Sequence, residues 1–143
     1  MPLFTIETTY RMPYYRQRTY DAATIEDACH LAMKDDDWDS EKPDYECPGE
    51  TYVTDIWPGS IADYDGNVLP IPSQFHGLRQ RQVDHFGELV ELLDLVARPM
   101  GIEQVDFERW LPRAQAALAK AKAIIERRKD PDETLGKGEE QDR

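Results

Sequence analysis

The chain has 143 residues, 40% of them hydrophobic, and a formal net charge of −12, which suits one hydrophobic core and gives no run near the ~20 apolar residues that a membrane span requires. Residues 21–65 hold 14 of the 29 acidic residues against 2 basic ones, and such a balance argues against direct binding of nucleic-acid phosphates, which needs Lys and Arg. Two cysteines, Cys29 and Cys47, beside ample apolar residues suggest free thiols in a cytoplasmic setting, not a disulfide scaffold.

At the start, Thr5, Glu7, Thr8 and Thr9 interrupt the apolar residues, so no export signal is expected. Thr5, Glu7 and Thr9 alternate with Phe4, Ile6, Thr8 and Tyr10, the period-2 pattern of a half-buried first strand over Leu3 to Tyr10. Met12 and Pro13 interrupt pairing, and Tyr14 to Tyr20 reads as a second strand in which Arg16 and Arg18 share a face with Tyr14 and Tyr20. Thr24 is placed to cap a helix whose residues Ile25, Ala28, Cys29 and Ala32 fall on one face. The carboxylates of Asp35, Asp36 and Asp37 oppose the negative end of the helix dipole and should stop it there. A polar loop then runs to Glu50, and Thr51 to Trp57 is a third strand ended by Pro58 and Gly59. Asp65 and Gly66 signal a turn, while Pro70 and Pro72 restrict the flanking residues to a sheet edge or an irregular arm.

Further on, Val83, Phe86, Val90, Leu93 and Ala97 follow 3-4-3-4 spacing, and after Pro99, Met100 and Gly101 the spacing recurs at Leu111, Ala114, Leu118, Ala121 and Ile125. Two antiparallel helices with a short connection are expected, with Pro112 in the first turn of the second and a separate helical turn over Val105 to Leu111. The fold class that emerges is α+β: a small antiparallel sheet of three or four strands, one packed helix, and a C-terminal antiparallel helical hairpin. Residues 1–129 form a single domain, with the sheet and acidic region in 1–75 and the hairpin in 76–129, and 130–143 form a disordered acidic tail.

Among patterns that carry chemistry, Asp35, Asp37, Asp39 and Glu46 match positions 1, 3, 5 and 12 of a calcium-binding EF-hand loop. Ser40 stands where that loop needs glycine, and Cys47, Pro48 and Gly49 cannot begin its exiting helix, so a solvated acidic loop is the better reading and no metal or cofactor is assigned. Cys29, His30, Cys47, His76 and His85 lack the close ligand spacing of a zinc site. Ser40, Ser60 and Ser73 lie in no nucleophile elbow, and no phosphate-cradling glycine loop occurs. Tyr10, Arg11, Tyr14, Tyr15, Arg16, Arg18 and Tyr20 resemble a stacking surface for single strands, but the acidic segment downstream favours pairing of these cations with acidic neighbours instead.

The segments Tyr15 to Tyr20, Thr24 to Ala28, Asp36 to Trp38 and Thr51 to Trp57 make the chain similar to short proteins encoded on bacterial plasmids and other mobile elements, over roughly its first 75 residues. The resemblance names no activity and supplies no catalytic residue. What it implies is a setting in which small acidic proteins blunt host defence nucleases. The leading expectation is a non-enzymatic protein whose residues Asp35, Asp36, Asp37, Trp38, Asp39, Glu41, Asp44, Glu46 and Glu50 bind a basic protein or nucleoprotein surface, imitating nucleic acid. It requires those carboxylates to point outward without being neutralised by the chain's own arginines. The alternatives are a divalent-metal or small-ligand protein using the same loop, and a structural subunit or homodimer joined through the C-terminal helices.

Overall fold

A computed structural model describes residues 1–133, in the order β1 (Phe4–Thr9), β2 (Tyr14–Tyr15), α1 (Ile25–Lys34), β3 (Lys42–Pro43), β4 (Tyr52–Pro58), a 3-10 turn (Ser73–Phe75), α2 (Leu78–Val96) and α3 (Gln104–Ile125). The class is α+β, with antiparallel strands and three α-helices among the described residues. Contacts divide the chain into unit 1, Met1–Thr9 with the residues from Tyr52 onward, and unit 2, Tyr10–Thr51.

In unit 1, β1 pairs with β4 in the register Phe4 to Pro58, Thr5 to Trp57, Ile6 to Ile56 and Glu7 to Asp55, then slips so that Thr8 faces Val53. Thr54 is the extra residue of this bulge. Its hydroxyl lies 2.5 Å from Glu7 Oε1 and 3.0 Å from the Thr9 hydroxyl, so polar side chains fill the slip. Gly59 ends the strand with φ of +87°, a conformation that favours glycine, while its N–H donates to the Leu3 carbonyl. Trp57 is buried and meets Tyr64 edge-on with ring centroids 5.3 Å apart.

The helices of unit 1 touch through partners that advance along α2 while receding along α3. Arg113 grips Glu88 with two 2.8 Å bonds, His85 Nε2 lies 2.8 Å from the Ala117 carbonyl, and Trp110 Nε1 donates to the Leu92 carbonyl at 2.8 Å. Leu92, Ala117, Ala123 and Ile124 are buried there together with Arg81 and His85. Gly101, with φ of +73°, turns the chain between the helices. Pro112 lies inside α3, not in its first turn, and Gln104–Ile125 is one continuous helix. The Trp110 bond to α2 and the stacking of Phe107 on Trp110, at 5.7 Å, tie the stretch before the proline into the helix despite the hydrogen bond the imino acid forgoes.

After α3, Arg127 takes a left-handed φ of 58°, its N–H donates to Ile124 and the Arg128 N–H donates to Ala123, which closes the helix in a Schellman turn. This turn delivers the Arg128 carbonyl to the buried Arg81, whose Nη2 donates to it and to Asp130 Oδ1, each at 2.7 Å. Asp130 N–H donates to Ser73 Oγ at 2.8 Å, and that hydroxyl donates to Glu133 at 2.5 Å. Residues 130–133 of the expected tail are therefore built into unit 1, and the remainder, 134–143, lies outside the described residues.

Two expectations change at the level of elements. The strands form two separate two-stranded ladders, not one sheet of three or four. The cause lies at Arg11 to Pro13: the Arg11 carbonyl accepts from Gly49 and the Pro13 carbonyl from Asp44, which draws the segment after β1 to a different partner. The helix from Thr24 forms as expected, yet no residue of α1 is buried, and Ile25 at the start of its apolar face is 86% exposed.

Candidate partner-binding site

Unit 2 begins with Tyr14 paired to Pro43 and Tyr15 to Lys42. Its two ends are drawn together by the Gly49 N–H, which donates to the Arg11 carbonyl at 2.7 Å. A Cβ at Gly49 would lie 3.2 Å from that oxygen, so this close approach suits a residue without a side chain. Thr24 caps α1 as its sequence position requires: the hydroxyl accepts from Asp27 N–H at 3.1 Å, with Glu26 and Asp27 in the first turn.

The other end of α1 is capped from a distance. Arg16, whose side chain is 9% exposed, donates through Nη2 to the carbonyls of Ala32 at 3.0 Å and Asp35 at 2.6 Å, and through Nη1 to the carbonyl of Asp37. A helix ends with unsatisfied carbonyls and a partial negative charge, and a planar guanidinium with several donors answers both. The same guanidinium carbon sits 4.1 Å from the centre of the Trp38 ring, in cation–π contact.

Asp35 is the hub of the cluster. Its Oδ2 accepts from the Tyr20 hydroxyl at 2.7 Å and from Arg18 Nη1 at 3.0 Å, and its Oδ1 accepts from the Asp37 N–H at 3.0 Å. These bonds, that of Tyr20 first, bring its pKa down from 3.8 to about 2. The bond to Asp35 correspondingly raises the Tyr20 phenol. Asp37 is lowered chiefly by the Asp39 N–H it accepts, with help from Arg18 Nη2 at 3.1 Å. Burial pulls the Arg18 guanidinium down, but its bonds to Asp35 and Asp37 outweigh that and leave it raised.

Of the residues expected to bind a partner, the structure gives Asp35 an internal role and Asp37 a partial one, its side chain remaining 56% exposed. Asp44 is half-buried and caps the Glu46 N–H at 3.2 Å. Asp36, Asp39, Glu41, Glu46 and Glu50 are exposed, as are Trp38 at 44% and Tyr45 at 76%. Successive carboxylate-to-backbone bonds at Asp35, Asp37 and Asp44 set the course of the loop. The residues that sequence alone did not place in the site are Arg16, Arg18 and Tyr20. Their signal is the alternation that sets all three on one face just ahead of the acidic run.

Beside this cluster, Ile25, Ala28, Cys29 and Ala32 of α1 line an open groove of about 470 Å³ together with Arg16, Gln17, Arg18 and Tyr20. Cys29 and Cys47 are exposed free thiols. Asp35, Asp37, Asp39 and Glu46 do not converge, and among the described residues no three His, Cys, Asp or Glu side chains are grouped to hold a metal ion. No helix among the described residues is long and apolar enough to cross a membrane. No family model matches the chain, and neither the curated proteins nor the solved structures compared with it give a match.

Proposed function

We propose that the chain is a non-enzymatic interaction protein of the cytoplasm whose acidic loop in unit 2 grips a basic surface on a protein or nucleoprotein. The observation that carries this reading is the loop's construction. Arg16, Arg18 and the carboxylate-capped turns fix its path, while Asp36, Asp39, Glu41 and Glu46 stay exposed next to the aromatic faces of Trp38 and Tyr45. Charges held on a fixed backbone lose less conformational freedom on binding, and their summed field speeds encounter with an oppositely charged partner. In the finer form of this proposal the carboxylates imitate the phosphates of a nucleic acid and occupy the groove of a host defence nuclease complex, the setting that the sequence resemblance to mobile-element proteins implies.

The internal pairs narrow the set of residues to be tested. A variant carrying Asp36→Asn, Asp39→Asn, Glu41→Gln and Glu46→Gln leaves Asp35 and its arginines intact. Capture of a basic partner by the wild type should weaken steeply with added salt, and the variant should lose capture while its far-ultraviolet circular dichroism is unchanged. Capture that persists in the variant and ignores salt would refute the proposal.

A further inference from the structure

The 3-4-3 stripe of α2 lies on the side away from α3. The residues of α2 that bond to α3 are His85, Glu88, Glu91 and Leu92, whereas the apolar ones stand clear: Val83 is 67% exposed, Phe86 65%, Val90 48% and Leu93 65%. At about 100° per residue, the two sets sit on opposite sides of the helix. Within the protomer, the inner seam buries Leu92 together with Arg81 and His85, and the outer seam holds exposed valine, phenylalanine and leucine. The outer seam is an unpartnered helix face of the narrow type that another helix covers.

We infer that a second copy of this chain covers it, with α2 packed antiparallel on the partner's α2. Three features select this occupant. The stripe reads the same in both directions, because Val83, Phe86, Val90 and Leu93 are spaced symmetrically about Glu88. A two-fold axis there sets Val83 against Leu93 of the partner subunit and Phe86 against Val90 of the partner subunit, so the surface is self-complementary, as an isologous interface must be.

Charge then chooses the direction. Exposed Arg79 lies beside the first end of the stripe and exposed Asp94 beside the last. Antiparallel packing brings them within about one helical turn of each other across the axis, whereas parallel packing stacks each on its own copy. Finally, Gly87 sits at the flank of the stripe in mid-helix, where glycine weakens a helix, and a Cβ there would meet no atom within 4 Å. A second backbone crossing at the centre of the stripe gives that bare position a use.

Sedimentation of the full chain, followed by directed cross-linking, tests the inference. The wild type should sediment as a dimer at about 100 µM, and Leu93→Asp should raise the dimer dissociation constant at least tenfold with helix content retained, since the replaced side chain is mostly exposed. Val83→Ser serves the same purpose if the aspartate variant fails to fold. In a background with Cys29→Ser and Cys47→Ser, mixing Val83→Cys chains with Leu93→Cys chains should give a disulfide between the two. Val83→Cys alone should give none, because antiparallel packing keeps the two copies of that position roughly 15 Å apart, beyond disulfide reach. A wild type that stays monomeric, a dimer indifferent to both substitutions, or cross-linking of Val83→Cys to itself would overturn the proposal.

Discussion

Asp35 gathers a phenol, a guanidinium and a backbone N–H onto one carboxylate, and this sets the sign of its pH response. Its folded pKa of about 2 lies below the ordinary 3.8. The stabilisation it gives is therefore complete above the ordinary value and drains away as pH falls through about 2. Acid titration of the wild type, followed by amide exchange in unit 2, should show progressive loss of protection over that interval, and Asp35→Asn should flatten the response. Arg16 is a different case, because its role depends on shape as well as charge. Arg16→Lys should destabilise the end of α1 by about 2 kcal/mol, as an ammonium cannot reach three carbonyls and stack on an indole at once. Exchange at the amides of the last turn of α1 would measure it. The residue types were legible in the sequence, and so was the tendency of these arginines to pair with acidic neighbours. Which carboxylates they would choose was not, since that depends on where α1 ends and how the loop bends back.

At the level of elements, local chemistry was read well and burial was not. Thr24 caps α1 as its spacing indicates, and Thr24→Ala should cost about 1 kcal/mol of helix stability while Thr24→Ser costs little, as a helicity melt of both variants would show. The 3-4 periodicity correctly located α2, but periodicity tells which residues share a side without telling what that side meets. Charged and polar Arg81 and His85 entered the helix contact because partners wait there: the Arg128 and Ala117 carbonyls and Asp130. Those partners come from positions 32 to 49 residues away, so no local pattern announces them. Removing Asp130 leaves Arg81 buried with its main counter-charge gone, and Asp130→Ala should destabilise unit 1 by roughly 3 kcal/mol in denaturant unfolding. Truncation after Lys129 should do at least as much, since it also takes away Glu133 and its bonds to Ser73.

For the whole molecule, the two units differ in what holds them. Every fully buried apolar residue among those described belongs to unit 1, and unit 2 has none. Unit 2 is held instead by hydrogen bonds, ion pairs and caps, each of which contributes modestly in water-exposed surroundings. Its amides should exchange faster than those of α2 and α3, and protease should cut first within residues 10–51. Along α1, Ile25 and Met33 are each 86% exposed, while Ala28 and Ala32 are half-buried, a difference that average burial for a chain of this length does not reveal. The contact between Arg16 and Trp38 also gives this division a magnetic-resonance signature. Of the three tryptophans, Trp57 and Trp110 lie in unit 1, and Trp38 is the indole of unit 2. Fluorine-labelled tryptophan would thus give each unit its own resonance, and the line from position 38, shifted by the cation above its ring, would report the loop's engagement without any mutation.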